Sequence, residues 1–200
     1  MPEPKTTKLV QIALFDGFEL LDAFAPLDVW QLANKLSPGL RTELVSVSGA
    51  EEITALGGVP IRPTAGFVAD GDVLLVPGAP EMWRSGEMPP GLAQTMHAWL
   101  GEGRLLATVC TGAVFAARAG LLRGRPAITH RSALSVLSEE GARVTHARVV
   151  DAGDLITCGG VTSGLDLAIY LAERFLGSDI AMRVEDMMEY ERRGTVWRDA

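Results

Sequence analysis

The sequence predicts an α/β fold, a three-layer sandwich in which a mostly parallel sheet is covered by helices on both faces. Strand-like runs of apolar and β-branched residues alternate with helical patterns along the chain, and a parallel pair needs the kind of crossover a helix supplies. The connections between them are short. Of the 200 residues, 48% are hydrophobic and 22% charged, enough apolar material to cover both faces of such a sheet and far from a disordered composition.

The elements follow in order. Residues 8–15 form the first strand-like run, and the turn Phe15-Asp16-Gly17 leads into a helical stretch over 21–36. A second run covers 42–47 and a third 73–76, which the breaker Pro77-Gly78-Ala79-Pro80 ends. A helix is expected over 91–100, a strand over 105–109 and an Ala-rich helix over 111–119. A strand over 126–129, a helix over 132–140 and a strand over 155–158 continue the alternation. The helix over 161–176 is apolar nearly all round and is read as deep core rather than as part of a site. Ser178 is read as the N-cap of a last helix reaching about residue 191. No linker, repeat or low-complexity tract divides the chain, so residues 1–200 are expected to form a single domain.

Charge and cysteine content narrow the function classes. The net charge of −7 comes from dispersed acids without a Lys/Arg cluster, so no nucleic-acid partner is expected. No run of about 18 apolar residues could span a bilayer, and Met1-Pro2-Glu3-Pro4-Lys5 lacks the apolar core of a signal peptide, so the expectation is a cytoplasmic protein without membrane contact. Cys110 and Cys158 are too few for a disulfide framework, and the three histidines show no metal-ligand spacing. Reduced thiols and no metal are expected.

In an open parallel sheet, ligands bind beyond the carboxyl ends of the strands. Three such junctions carry unusual residues: Phe15-Asp16-Gly17 leading to Asp22, Val76-Pro77-Gly78-Ala79-Pro80, and Val109-Cys110-Thr111-Gly112. Cys110 ends an apolar strand and opens a helix, the arrangement of a nucleophile elbow. The helix N-terminus behind it is expected to lower the thiol's pKa. The N–H of Thr111 and that of Gly78 or Ala79 would form an oxyanion hole. Asp22 lies in an apolar stretch, Leu20 to Pro26, where the plainer reading is a helix cap and the functional one an acid beside the thiol. His130 closes the run over 126–129 and is read as a substrate contact or a surface histidine. Position 132 is Ser, so the acid a Cys-His-Glu glutaminase needs two residues after His130 is absent. Cys158 is read as structural.

From about Leu9 to Gly177 the chain resembles the ThiJ/PfpI superfamily, which has the class I glutamine amidotransferase-like, flavodoxin-like fold. The likeness rests on Leu21-Asp22 with Pro26, Val76-Pro77-Gly78, Val109-Cys110-Thr111-Gly112, Ala119-Gly120-Leu121-Leu122 with Gly124-Arg125, Thr129-His130, and the run from Gly160 to Asp166. The aspartate form of the first motif with Cys-Thr-Gly looks closest to the isonitrile hydratase branch and to the sensor domains of some AraC-type regulators. The chain departs from the hydratase pattern at Arg131, where that branch has an aromatic, at Glu191-Arg192-Arg193-Gly194, where it has Pro-Pro-Phe, and at Ala25, where Gly is more usual. The resemblance implies a homodimer and the cofactor-free hydration of a small isonitrile to an N-substituted formamide. It makes Cys110 the nucleophile, Asp22 the acid and base, and Thr111 a positioning group. The same residues would serve a glyoxalase or deglycase, or an oxidation-sensing or ligand-binding domain.

Overall fold

The structure, a computed structural model, describes residues 7–101 and 103–198; the N-terminal pentapeptide considered above lies outside them. The chain runs β1 (Lys8–Leu14), α1 (Leu20–Leu36), β2 (Leu40–Ser46), β3 (Ile53–Thr54), β4 (Pro60–Ile61), β5 (Val73–Val76), α2 (Met82–Ser85), α3 (Leu92–Trp99), β6 (Leu105–Thr108) and α4 (Gly112–Arg118). It continues through β7 (Pro126–Ala127), a 3-10 turn (Arg131–Ala133), α5 (Leu134–Glu139), β8 (Arg143–Val144), β9 (Val149–Asp151), β10 (Leu155–Cys158), α6 (Ser163–Leu176), α7 (Ser178–Met187) and β11 (Val196–Arg198).

Seven strands form the central sheet in the order β11-β9-β10-β6-β5-β1-β2. The five from β2 to β10 run parallel; β9 is antiparallel to β10, and β11 runs with β9. Strands β5, β6 and β10 are buried at every residue, as central strands covered on both faces must be. Val76 of β5 and Thr157 of β10 both pair with Thr108 of β6, so three neighbouring strands finish level. Their carboxyl ends deliver Pro77-Gly78, Val109-Cys110 and Cys158-Gly159 to one rim.

Helices α1, α6 and α7 pack together, and α3 packs on α4. Pro26 lies inside α1 and removes one helical donor, while its ring packs on Gly164 of α6, where an added Cβ would come within 3.4 Å. Trp30 Nε1 donates to the Ala168 carbonyl at 2.9 Å and ties the same two helices. Trp99 does the corresponding work for α3 through a 3.0 Å bond to the Leu105 carbonyl.

Several expectations need correcting. Only Pro126–Ala127 of the run over 126–129 is strand, and it pairs with β8 in a separate two-stranded ribbon. The ribbon meets the main sheet where the Ile128 N–H donates to Thr157 Oγ1 at 2.9 Å. Gly177, not Ser178, occupies the N-cap of α7, and that helix ends at Met187. The hairpin β3–β4 and the strands β8, β9 and β11 were not anticipated.

Candidate functional site

The site begins with a backbone feature. Cys110 has φ +56, a left-handed conformation uncommon for a residue with a side chain. Neighbours on both sides hold it there. Its N–H donates to the Gly159 carbonyl at 2.9 Å, and its carbonyl accepts from Thr129 Oγ1 at 2.8 Å. The turn also requires Gly112, because an added Cβ would sit 2.3 Å from the Val76 carbonyl oxygen. No side chain fits between α4 and the end of β5.

Asp22 arrives from the first turn of α1 and is fully buried. It does not cap its helix: Glu19 holds the N-cap position, and Asp22 Oδ2 accepts the Gly78 N–H at 2.9 Å across 56 positions. Its Oδ1 is buried without a nitrogen or oxygen partner; the Cys110 thiol is the side chain that meets this carboxyl. Gly78 is as necessary as Gly112, since a Cβ there would lie 2.5 Å from Thr111 Oγ1 and 2.9 Å from Asp22 Oδ2. The three junctions singled out in the sequence therefore converge.

Burial dominates the electrostatics. It raises the Asp22 carboxyl from 3.8 to about 7, against the lowering effect of the Gly78 N–H. Burial, and then the Asp22 charge, push the Cys110 thiol up to about 12. This reverses the expectation of a thiol made acidic by its helix. The N–H groups of Val161 and Thr111 face the sulfur and lower its pKa, but removal from water and a nearby like charge outweigh two amide dipoles. The thiol therefore keeps its proton near neutral pH, while the carboxyl, hydrogen-bonded by it, gains or loses one there.

The expected oxyanion donors are placed differently. Both candidate amides after β5 are engaged, Gly78 N–H by Asp22 and Ala79 N–H by Thr111 Oγ1 at 3.1 Å. The backbone N–H groups facing the sulfur are those of Thr111, as expected, and of Val161, which was missed. Val161 precedes α6 with φ +39, so the start of a helix read as core in fact borders the site. The surrounding Gly159-Gly160 pair was the available signal. Leu21, part of the apolar stretch around Asp22, is 41% exposed, because the site takes Asp22 from α1 and leaves the residue before it facing water.

His130 stands one residue beyond Thr129, its ring packed against Gly160, where an added Cβ would be 2.1 Å from Cδ2. A cavity of about 630 Å³ opens there, bounded by Thr129, His130, Arg131, Arg148, Gly160 and Val161 among others. Among the described residues, no group of three or more His, Cys, Asp or Glu could hold a metal ion, and no helix is long and apolar enough to cross a membrane.

Sheet and elbow together define a class of α/β proteins that hold a cysteine at left-handed φ on a strand end, beside an acid from the first helix. The profile described as the DJ-1/PfpI family matches residues 8–174, and the chain belongs to that family. It is 34% identical to the isonitrile hydratase of Pseudomonas putida over 179 residues, 88% of this chain and 76% of that protein. It is 28% identical to the HTH-type transcriptional regulator GbdR of Pseudomonas aeruginosa over 96% of this chain, but it spans only 53% of the regulator. Its fold superposes on the crystal structure of Drosophila melanogaster DJ-1beta with a TM-score of 0.80 at 22% identity, covering 93% of this chain and 100% of that one.

Proposed function

We propose that the protein is a cysteine-dependent hydratase that adds water to an isonitrile to give an N-substituted formamide. The observation that carries this reading is the Cys110–Asp22 pair: a buried carboxyl near pKa 7 with one oxygen unpartnered, set against a thiol at the end of β6. A group titrating near neutrality can both give and take a proton.

In the first step the sulfur bonds to the terminal isonitrile carbon. The thiol's proton passes by way of Asp22 to that same carbon, giving a thioimidate and leaving Asp22 as carboxylate. Asp22 then takes a proton from water as its oxygen adds to this carbon, and passes it to the nitrogen. Collapse breaks the C–S bond, and the hydroxyl proton returns to the pair as the formamide leaves. The Thr111 and Val161 N–H groups stabilise charge on the sulfur at each stage. The family relationship to an isonitrile hydratase supports the substrate.

The test is kcat/KM for cyclohexyl isocyanide against methylglyoxal, with wild type and Cys110→Ala side by side. A preference for the isonitrile that disappears in Cys110→Ala is expected. A Cys110-dependent preference for methylglyoxal of tenfold, about 1.4 kcal/mol of transition-state discrimination, overturns the hydratase reading.

A further inference from the structure

We infer that the cavity beside Cys110 is a carboxylate-binding site, in which Arg131 and His130 grip the acidic end of a small molecule whose other end reaches the sulfur. Combined with the hydratase reading, on which this extension rests, the substrate becomes an isonitrile bearing a carboxylate.

The cavity holds about 630 Å³, within the range of small-molecule sites. It abuts the reacting groups, because Thr129 and Val161 line it and also bond to Cys110. Its charge runs against that of the whole protein. The chain carries 25 acidic and 18 basic residues, yet two arginines, two histidines and no Asp or Glu line this space.

The two arginines differ in availability. Arg148 is committed, its Nε to Asp166 and an Nη to Thr162 Oγ1 at 3.0 Å, so its charge is answered from behind. Arg131 makes no ion pair among the described residues and lies exposed at the start of the 3-10 turn. His130 stands next to it. Its Nδ1 accepts the Ser132 N–H at 3.2 Å and lies 2.7 Å from Ser132 Oγ, an arrangement that a neutral ring with its proton on Nε2 satisfies. Burial, followed by the charges of Arg131 and Arg84, lowers the His130 pKa and keeps the ring neutral. One free guanidinium and one ring N–H match the two oxygens of a carboxylate. Ile128, Leu134 and Val161 complete the lining with apolar surface for the rest of the molecule.

A pair of reagents of nearly equal size and opposite character reads the site directly. Cys110 is alkylated with iodoacetate and with neutral iodoacetamide, in wild type, Arg131→Ala and Arg131→Lys, each first checked for an unchanged melting temperature. The iodoacetate-to-iodoacetamide rate ratio should fall about tenfold in Arg131→Ala and partly recover in Arg131→Lys, with iodoacetamide rates alike in all three. An unchanged ratio overturns the inference. Millimolar acetate should slow iodoacetamide labelling of wild type and not of Arg131→Ala; protection by inorganic phosphate with none by acetate overturns the assignment to a carboxylate. Isocyanoacetate should be hydrated at least tenfold faster than its ethyl ester by wild type and not by Arg131→Ala. If neither is hydrated while the alkylation ratio still depends on Arg131, the hydratase reading falls and the carboxylate site stands. If both are hydrated equally and the alkylation ratio ignores Arg131, the site falls and the hydratase stands.

Discussion

Asp22 and Asp166 are both buried, both in the first turn of a long helix, and their helices α1 and α6 pack on each other. Their surroundings have little else in common. Asp166 Oδ2 accepts from Arg148 Nε and, at 3.0 Å, from the Tyr190 hydroxyl, and Oδ1 takes the Arg193 N–H at 2.7 Å. Asp22 has one amide on Oδ2 and no nitrogen or oxygen partner on Oδ1. Burial alone thus says little about the work an acid does; its partners do. A carboxylate answered by a guanidinium and two further donors fixes structure, here the approach of the C-terminal segment to α6. One left half-satisfied beside a thiol is kept ready to exchange a proton, at a cost of about 1–3 kcal/mol for the orphaned oxygen.

One effect expected from this contrast is a loss of stability. Asp166→Asn leaves the Arg148 guanidinium without its counter-charge and should cost about 3 kcal/mol, lowering Tm by roughly 6–12 °C in calorimetry at neutral pH. A change below 2 °C would dissolve the distinction between the two acids.

Asp22→Asn should move the other way. Its folded pKa, raised from 3.8 to about 7, means the native protein holds this proton more tightly than the unfolded chain. The stability this provides is whole below about pH 4, declines as the unfolded chain ionises, and is lost once pH passes about 7. The penalty reaches about 4 kcal/mol at ~1.4 kcal/mol per pH unit over that interval. Asparagine cannot ionise, so the variant should melt at least about 4 °C above wild type at pH 8, with the gap closing as the solution is acidified. It should also lose about a thousandfold in kcat/KM. A variant that is inactive and less stable at pH 8 would return Asp22 to a structural role.

The smallest effect separates the two cysteines. Cys158 is completely buried and Cys110 nearly so, and both thiols are raised by burial first. Iodoacetamide should label Cys110 alone in the folded protein, with a rate still climbing above pH 8, as expected of a neutral thiol. A rate already level at pH 7, read by mass spectrometry, would restore the acidic thiol that the helix N-terminus suggested.

Much of the frame was legible in the residues. Strands β5, β6 and β10 are short, almost wholly apolar runs because both faces of the sheet are covered, and the Val-Cys-Thr-Gly turn announces its elbow locally. What was not legible depends on contacts across the chain. The apolar run at 126–129 carries no sign of which strand it will pair with, so its departure into the ribbon with Arg143–Val144 could not be foreseen. Strands β9 and β11, each three residues long at the margin of the sheet, are too short to show a period. Val161, a β-branched residue at positive φ, is held there by its surroundings against its own preference. The direction of the Cys110 pKa was missed for the same reason, since it is set first by burial, which depends on how distant segments pack around the turn, and only then by the Asp22 charge.

The separate ribbon has an evolutionary consequence. Cys110, Asp22 and Gly78 are built into the sheet rim and the first helix, where glycines admit no side chain and any shift is felt by several strands at once. His130 and Arg131 lie between β7 and α5, beside a ribbon separate from the sheet. Residues 130–132 can therefore vary while Thr129 keeps its bond to the Cys110 carbonyl, and selectivity can drift while the chemistry stays still.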